Sequence, residues 1–484
     1  MFSLVRPVLF ILIIFVVISC GSWRNPALTT DCEPAVFPDY KAVTVPCNIA
    51  PLNFMIEGAE RVQAVFSCEG YQSLKIVGKN GILMIPQKKW AALLSHAAGH
   101  TLTVEVSAWS QEHPSGIAYK PFDIHVSDVA IDEWTVYRLI EPGYVGWRQL
   151  GIYQRNLSTF EERAVVTNED ATTTCINCHH FPSYSHESMM FHARGANGGT
   201  VLYHKGKLVK IDFKSIGPKV NTTYPAWHPD GRFIAFSSNT THQSFYAEGQ
   251  QHVEVFDSAS NLLIYDTQSG DVLTDPRFMN EGSMETFPAW SPDGKYLYFA
   301  SCDGRMGTKG LQDSVRYDLL RVPFDPVTGV LGANVDTLYN TRLQGGSVSY
   351  PRVSPDGRNL LYTCSSYGTF PIWHRDADLR MLDLSTMEEA DVSLWNDPDE
   401  ADSYHSWSSD GRWVVFGSRR LDGRYTRLYI AGLDGSGNPS KPFLLPQEDP
   451  RQNIWRMKSF NVPEFVDGRI ELPKGTEDLF YAEN

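Results

Sequence analysis

Basic residues are in short supply. Only 42 Lys and Arg stand against 56 Asp and Glu in 484 residues, a formal net charge of −14, and no run of basic side chains occurs. A phosphate backbone is neutralised by clustered cations that displace its counterions, so nucleic acid is excluded as a partner. Zinc lacks support because no second Cys/His pair with suitable ligand spacing is present. A serine hydrolase is disfavoured too: there is no Gly-x-Ser-x-Gly elbow, and too little chain remains at the C-terminus for a hydrolase domain. What is abundant is aromatic residues at 12%, with 37 Gly and 29 Pro. That composition favours many short strands joined by tight turns, so the predicted fold class is all-β. The length exceeds what one hydrophobic core supports, which implies more than one domain.

The first residues read as an export signal, with Arg6 as the positive flank and Pro7 to Ile18 as a short apolar core. Such a core is too short to span a bilayer comfortably. Val17-Ile18-Ser19-Cys20 resembles a bacterial lipobox, which implies that residues 1–19 are removed and that Cys20 carries the lipid. The expected location is a periplasm-facing membrane or the cell surface, the outer membrane favoured, with residues 20–35 as a lipidated tether. Outside the cytoplasm thiols tend to be oxidised or bound to cofactors. Pairing among Cys32, Cys47 and Cys68 stays open, as do the fates of Cys302 and Cys364.

Residues 36–127 show alternating patterns in Arg61 to Cys68, Ser73 to Ile85, Thr101 to Ala108 and Phe122 to Val126, interrupted by a helical stretch from Gln87 to Ala98. This is the size and strand count of an immunoglobulin- or fibronectin-like β-sandwich. Residues 128–484 carry an internal repeat. Tyr224-Pro-Ala-Trp-His-Pro-Asp-Gly recurs as Phe287-Pro-Ala-Trp-Ser-Pro-Asp-Gly, as Tyr350-Pro-Arg-Val-Ser-Pro-Asp-Gly and as Tyr404-His-Ser-Trp-Ser-Ser-Asp-Gly, each followed by alternating apolar residues. Each copy reads as a hairpin, since Pro presets φ and Gly accepts φ > 0 in the turn. A second strand pair follows, and four strands make a propeller blade. These copies resemble the TolB-type, WD-repeat-like β-propellers, which implies a propeller of six blades, with five to seven allowed. A degenerate copy aligns Phe181-Pro-Ser-Tyr with Phe287-Pro-Ala-Trp. A further blade is expected around Gln149 to Leu157, with the segment from Ile454 to Phe460 helping to close the ring.

The motif with chemistry is Cys175-Ile-Asn-Cys178-His179, the c-type haem attachment pattern. With 8 Cys and 14 His, shuffling yields it in about 0.4% of sequences, so coincidence is a poor explanation. Two thiols two residues apart reach two vinyl groups of one porphyrin, and the adjacent imidazole serves as the proximal iron ligand. Zinc, a redox dithiol and a strained disulfide compete less well. Met189 or Met190 is the expected distal ligand. These neighbours point to opposite faces of a strand, so at most one meets the iron; core filling is the plain alternative for both. His192, His186 and His180 are the other distal candidates. The likeness to c-type cytochromes ends at the motif, because no room remains for flanking helices. The haem is therefore expected at the rim or entry of one blade.

These readings converge on an exported lipoprotein with one covalent haem c. Its expected role is electron transfer or redox sensing with a protein partner, and its lipid supplies the membrane contact. The alternatives are a propeller that recognises an envelope protein, peptide or glycan and keeps a structural haem, and a haem peroxidase-like enzyme.

Overall fold

The computed structural model describes residues 25–141, 150–168, 175–195, 198–246, 253–307 and 312–480. The signal residues 1–19 and Cys20 lie outside them. All the strands expected in the N-terminal unit form, as Ala59–Ser67, Leu74–Lys79, Ile82–Leu83, Thr101–Ser110 and Phe122–Val126, with the helix at Gln87–Ala97. They belong to one connected set of ten strands. Its edge is extended by Leu28–Thr29, which pairs in parallel with Ile117–Ala118. Trp90, Leu93, Leu94 and Ala97 put the apolar face of the helix into a core that also holds Trp413, Ile430 and Phe460 from the second unit. Asn53 fastens the same junction by donating to the Glu448 carbonyl at 2.8 Å.

The rest is a six-bladed β-propeller. Five blades have innermost strands at Cys175–His180, Thr223–Trp227, Ser283–Trp290, Ser347–Val353 and Asp402–Trp407. They are blades 2 to 6. Blade 1 is a composite: Trp134–Ile140, Gly151–Asn156 and Glu162–Thr167 receive their innermost strand, Ser459–Val466, from the C-terminal end of the propeller. Hydrogen bonding between the first and last strands of the propeller closes the ring. The closing strand lies a few residues beyond the segment expected.

The Ser-Pro-Asp-Gly turns hold themselves together. In blade 4 the Ser291 hydroxyl donates to Asp293 at 2.6 Å and accepts from the Tyr296 amide at 3.0 Å, while Gly294 takes φ +70°. Blades 5 and 6 repeat the pattern at Ser354 and Ser408. In blade 3 His228 replaces the serine and its ring nitrogen meets the Gly294 carbonyl of blade 4 at 3.0 Å. Apolar side chains on both faces of each sheet pack against the neighbouring blades in separate clusters.

Candidate functional site

Every innermost strand is broken at the same place. Cys178, Tyr224, Phe287, Tyr350, Tyr404 and Val462 all have φ between +43° and +52°. There the pairing with the second strand shifts register. Positive φ is costly for side chains of this size, so six repetitions mark a fixed property of the architecture. Pro follows in four cases, at Pro225, Pro288, Pro351 and Pro463, where an amide hydrogen would have no ladder partner. The aromatic members turn toward the axis and touch: Tyr224–Phe287 centroids are 4.2 Å apart and Tyr350–Tyr404 centroids 5.0 Å.

Cys178-His179 occupies this aromatic-Pro position in blade 2. The register corrects one expectation and narrows another. Phe181 corresponds to Trp290 and not to Phe287, because the bulges align Cys178 with Phe287. The motif is therefore the innermost strand itself, at the entry of blade 2 and not at its rim. Phe181-Pro182 matches Phe287-Pro288 only by letter, because the bulge sets the register.

Cys175 and Cys178 are free, partly exposed thiols, and Cys32, Cys47, Cys68, Cys302 and Cys364 are free as well. His179 is 2% exposed, and its ring lies against the Val462 backbone and the Glu464 carboxyl. Burial pushes its pKa down to about 3, helped by the Arg138 charge, so the imidazole is neutral. Its Nε2 lies 3.5 Å from Glu464 Oε2, and His180 Nε2 lies 3.6 Å from the other oxygen. Burial raises Glu464 to about 8, against the pull of Arg352. Near neutral pH the His179–Glu464 contact thus joins two mostly uncharged groups and is not an ion pair.

The distal candidates separate cleanly. Met189 is fully buried with Ile176 and Phe181, and Met190 with Trp227 and Phe236, so they do face opposite sides of blade 2. His186 is tied to Asp467 at 2.7 Å on the hairpin turn. His180 accepts from the Trp227 amide at 3.3 Å. His192 pairs across the strands with Asn177, contacts the Thr200 hydroxyl at 2.9 Å and keeps a buried Nε2 without a partner. With Arg194 it lines a cavity of about 560 Å³ between blades 2 and 3, and Arg194 is the cross-strand partner of Cys175.

The donor chemistry matches what haem c attachment requires: two free thiols, and an imidazole that burial keeps neutral. Among the described residues no group of three or more His, Cys, Asp or Glu is placed to hold a metal ion. Sequence reasoning missed Glu464 and Arg352, although Val462-Pro-Glu-Phe and Tyr350-Pro-Arg-Val carry the repeat's signature.

One residue past each bulge dipeptide stand His180, Ala226, Ala289, Arg352, Ser406 and Glu464, one per blade. They line an axial pocket of about 340 Å³. Its wall includes Trp227, Trp290 and Trp407; Trp290 and Trp407 donate to carbonyls of the preceding blade, at Ala226 and Arg352.

No protein-family model matches the chain, and no curated protein sequence does. Among solved structures the chain is similar to an oligogalacturonate lyase from Vibrio parahaemolyticus, at 12% identity and TM-score 0.34, over 63% of this chain and 92% of that one. It is also similar to prolyl oligopeptidase B from Galerina marginata, at 10% identity and TM-score 0.34, over 61% of this chain and 40% of that one. A prolyl endopeptidase aligns at 12% identity and TM-score 0.34, over 80% of this chain and 48% of its own length. Likeness at this level carries neither activity nor substrate to this chain.

Proposed function

We propose that this chain is an exported lipoprotein, anchored through Cys20 with the outer membrane favoured, whose propeller bears one covalent haem c on blade 2. One observation carries the reading. Of six equivalent bulges, the single one with cysteine followed by histidine also has Cys175 three residues before it. Ring architecture asks for an aromatic or aliphatic residue there, so the departure is explained by chemistry and not by packing.

Cys175 and Cys178 hold the porphyrin edge and His179 is the axial nitrogen, with Met189 or Met190 as second ligand and His192, whose buried Nε2 has no hydrogen-bond partner, as the alternative. The bound group supplies a one-electron couple suited to electron transfer or redox sensing with a protein partner. Enclosure of His179 keeps water from its ring, and burial keeps it unprotonated. The test is expression in a host that matures c-type cytochromes, followed by a pyridine haemochrome spectrum and intact mass. Colourless protein with no added mass defeats the reading.

A second reading, recognition of an envelope molecule by the propeller, is favoured by the axial pocket to which all six blades contribute.

A further inference from the structure

We infer that the axial pocket binds a small hydroxylated carboxylate of sugar-acid size, with Arg352 taking the carboxylate and Glu464 and His180 the hydroxyls. The inference rests on the recognition reading and is argued from the pocket's own side chains, of which Glu464 also contacts His179.

The six positions that face the pocket split into two kinds. Ala226, Ala289 and Ser406 are small and leave its volume open, while His180, Arg352 and Glu464 are long and polar. The repeat places one residue in each blade at this point, so the three polar choices converge on one space. Arg352 lies over the Tyr350 ring, 4.2 Å from its centroid, and donates to the Tyr350 hydroxyl at 2.9 Å. These contacts hold the guanidinium without neutralising it, and among the described residues no carboxylate lies within ion-pair distance of it. A fixed guanidinium presents a planar fork of donors that matches a carboxylate. Glu464 is 7% exposed and lines the pocket, with Oε2 3.5 Å from His179 Nε2 and Oε1 3.6 Å from His180 Nε2. A carboxyl in either protonation state can bond a ligand hydroxyl, as can the His180 ring. Indole and proline surfaces complete the wall, as at Trp227, Trp290, Pro229 and Pro292, and suit the apolar face of a sugar ring. About 340 Å³ is at the lower end of small-molecule sites, which rules out a long chain wholly enclosed.

The experiment titrates the full exported chain with D-glucuronate and, separately, with D-glucose, which differs only in carrying a hydroxymethyl group in place of the carboxylate. Calorimetry is the readout, with tryptophan fluorescence as a second signal from the pocket wall. Saturable glucuronate binding is expected, with glucose weaker by roughly ten- to a hundredfold, the factor expected for losing a charge-assisted contact. Arg352→Gln should lower glucuronate affinity by a similar factor with an unchanged melting temperature. Should that variant not fold, the wild-type comparison alone decides. Equal affinity for both sugars overturns the carboxylate assignment and leaves recognition standing. Absence of binding by either at millimolar concentration overturns both. Neither result bears on whether the chain is pigmented.

Discussion

Replacing Cys178 with phenylalanine separates chemistry from architecture. The backbone there is left-handed at φ +51°, yet Phe287 adopts +52° and Tyr350 +51° at equivalent bulges, so an aromatic residue adds no backbone strain. Phe287, Tyr350 and Tyr404 are each 2–3% exposed, whereas Cys178 is only partly buried and offers one sulfur to the ring of side chains. A buried aromatic contributes about 1.5–3 kcal/mol over an exposed one, and an aromatic contact adds about 0.5–1.5 kcal/mol. Part of this is already present in Cys178, so Cys178→Phe should stabilise haem-free protein by about 1–2 kcal/mol. Urea denaturation followed by tryptophan fluorescence measures the change. The same variant matured in a competent host should lose one thioether and show an altered haemochrome band. A loss of stability of 1 kcal/mol or more would refute the reasoning, since it would mean that the shaft is already filled and that Cys178 is there for size.

Other outcomes follow from the same geometry. Cys175→Ser combined with Cys178→Ser should abolish covalent pigment while leaving the far-ultraviolet circular dichroism unchanged; pigment that survives denaturing electrophoresis would contradict the attachment site. Because His179 is 2% exposed, haem-free protein that has already folded should fail to attach added haem under reducing conditions, and should succeed only if attachment precedes folding. Attachment to both alike, followed by intact mass, would show that the site is open. Glu285 has an unpartnered Oε2, and burial pushes its pKa from 4.5 to about 7 despite hydrogen bonds from Ser283 and Ser301. A carboxyl raised in the folded state stabilises fully below its unfolded pKa, and that stability is lost as pH rises through the folded value. Wild type should therefore lose about 3 kcal/mol more than Glu285→Gln between pH 4.5 and 7.5. Parallel urea midpoints at the two pH values would contradict it.

Much of the architecture was legible in the chain. The Ser-Pro-Asp-Gly turns are local devices, since the hydroxyl, carboxylate and glycine that make each turn lie within four residues of one another. The helix at Gln87–Ala97 and the N-terminal strands were legible through periodicity. Blade 2 was harder. Its turn has no Pro-Asp-Gly, and Phe181-Pro182 imitates the start of a repeat three residues downstream of the true one. Blade 1 was harder still, because its innermost strand comes from more than 290 residues away along the chain.

Local chemistry, then, is written in the amino-acid order: the two thiols and imidazole of Cys175, Cys178 and His179 are adjacent in sequence, as are the turns. Which surfaces those groups share was decided only when the ring closed. Glu464 meets His179 through a strand added at the C-terminal end of the propeller, and Arg352 faces Glu464 from another blade. Contacts of that kind depend on the register of six bulges around one axis, a long-range property that no single stretch of sequence encodes.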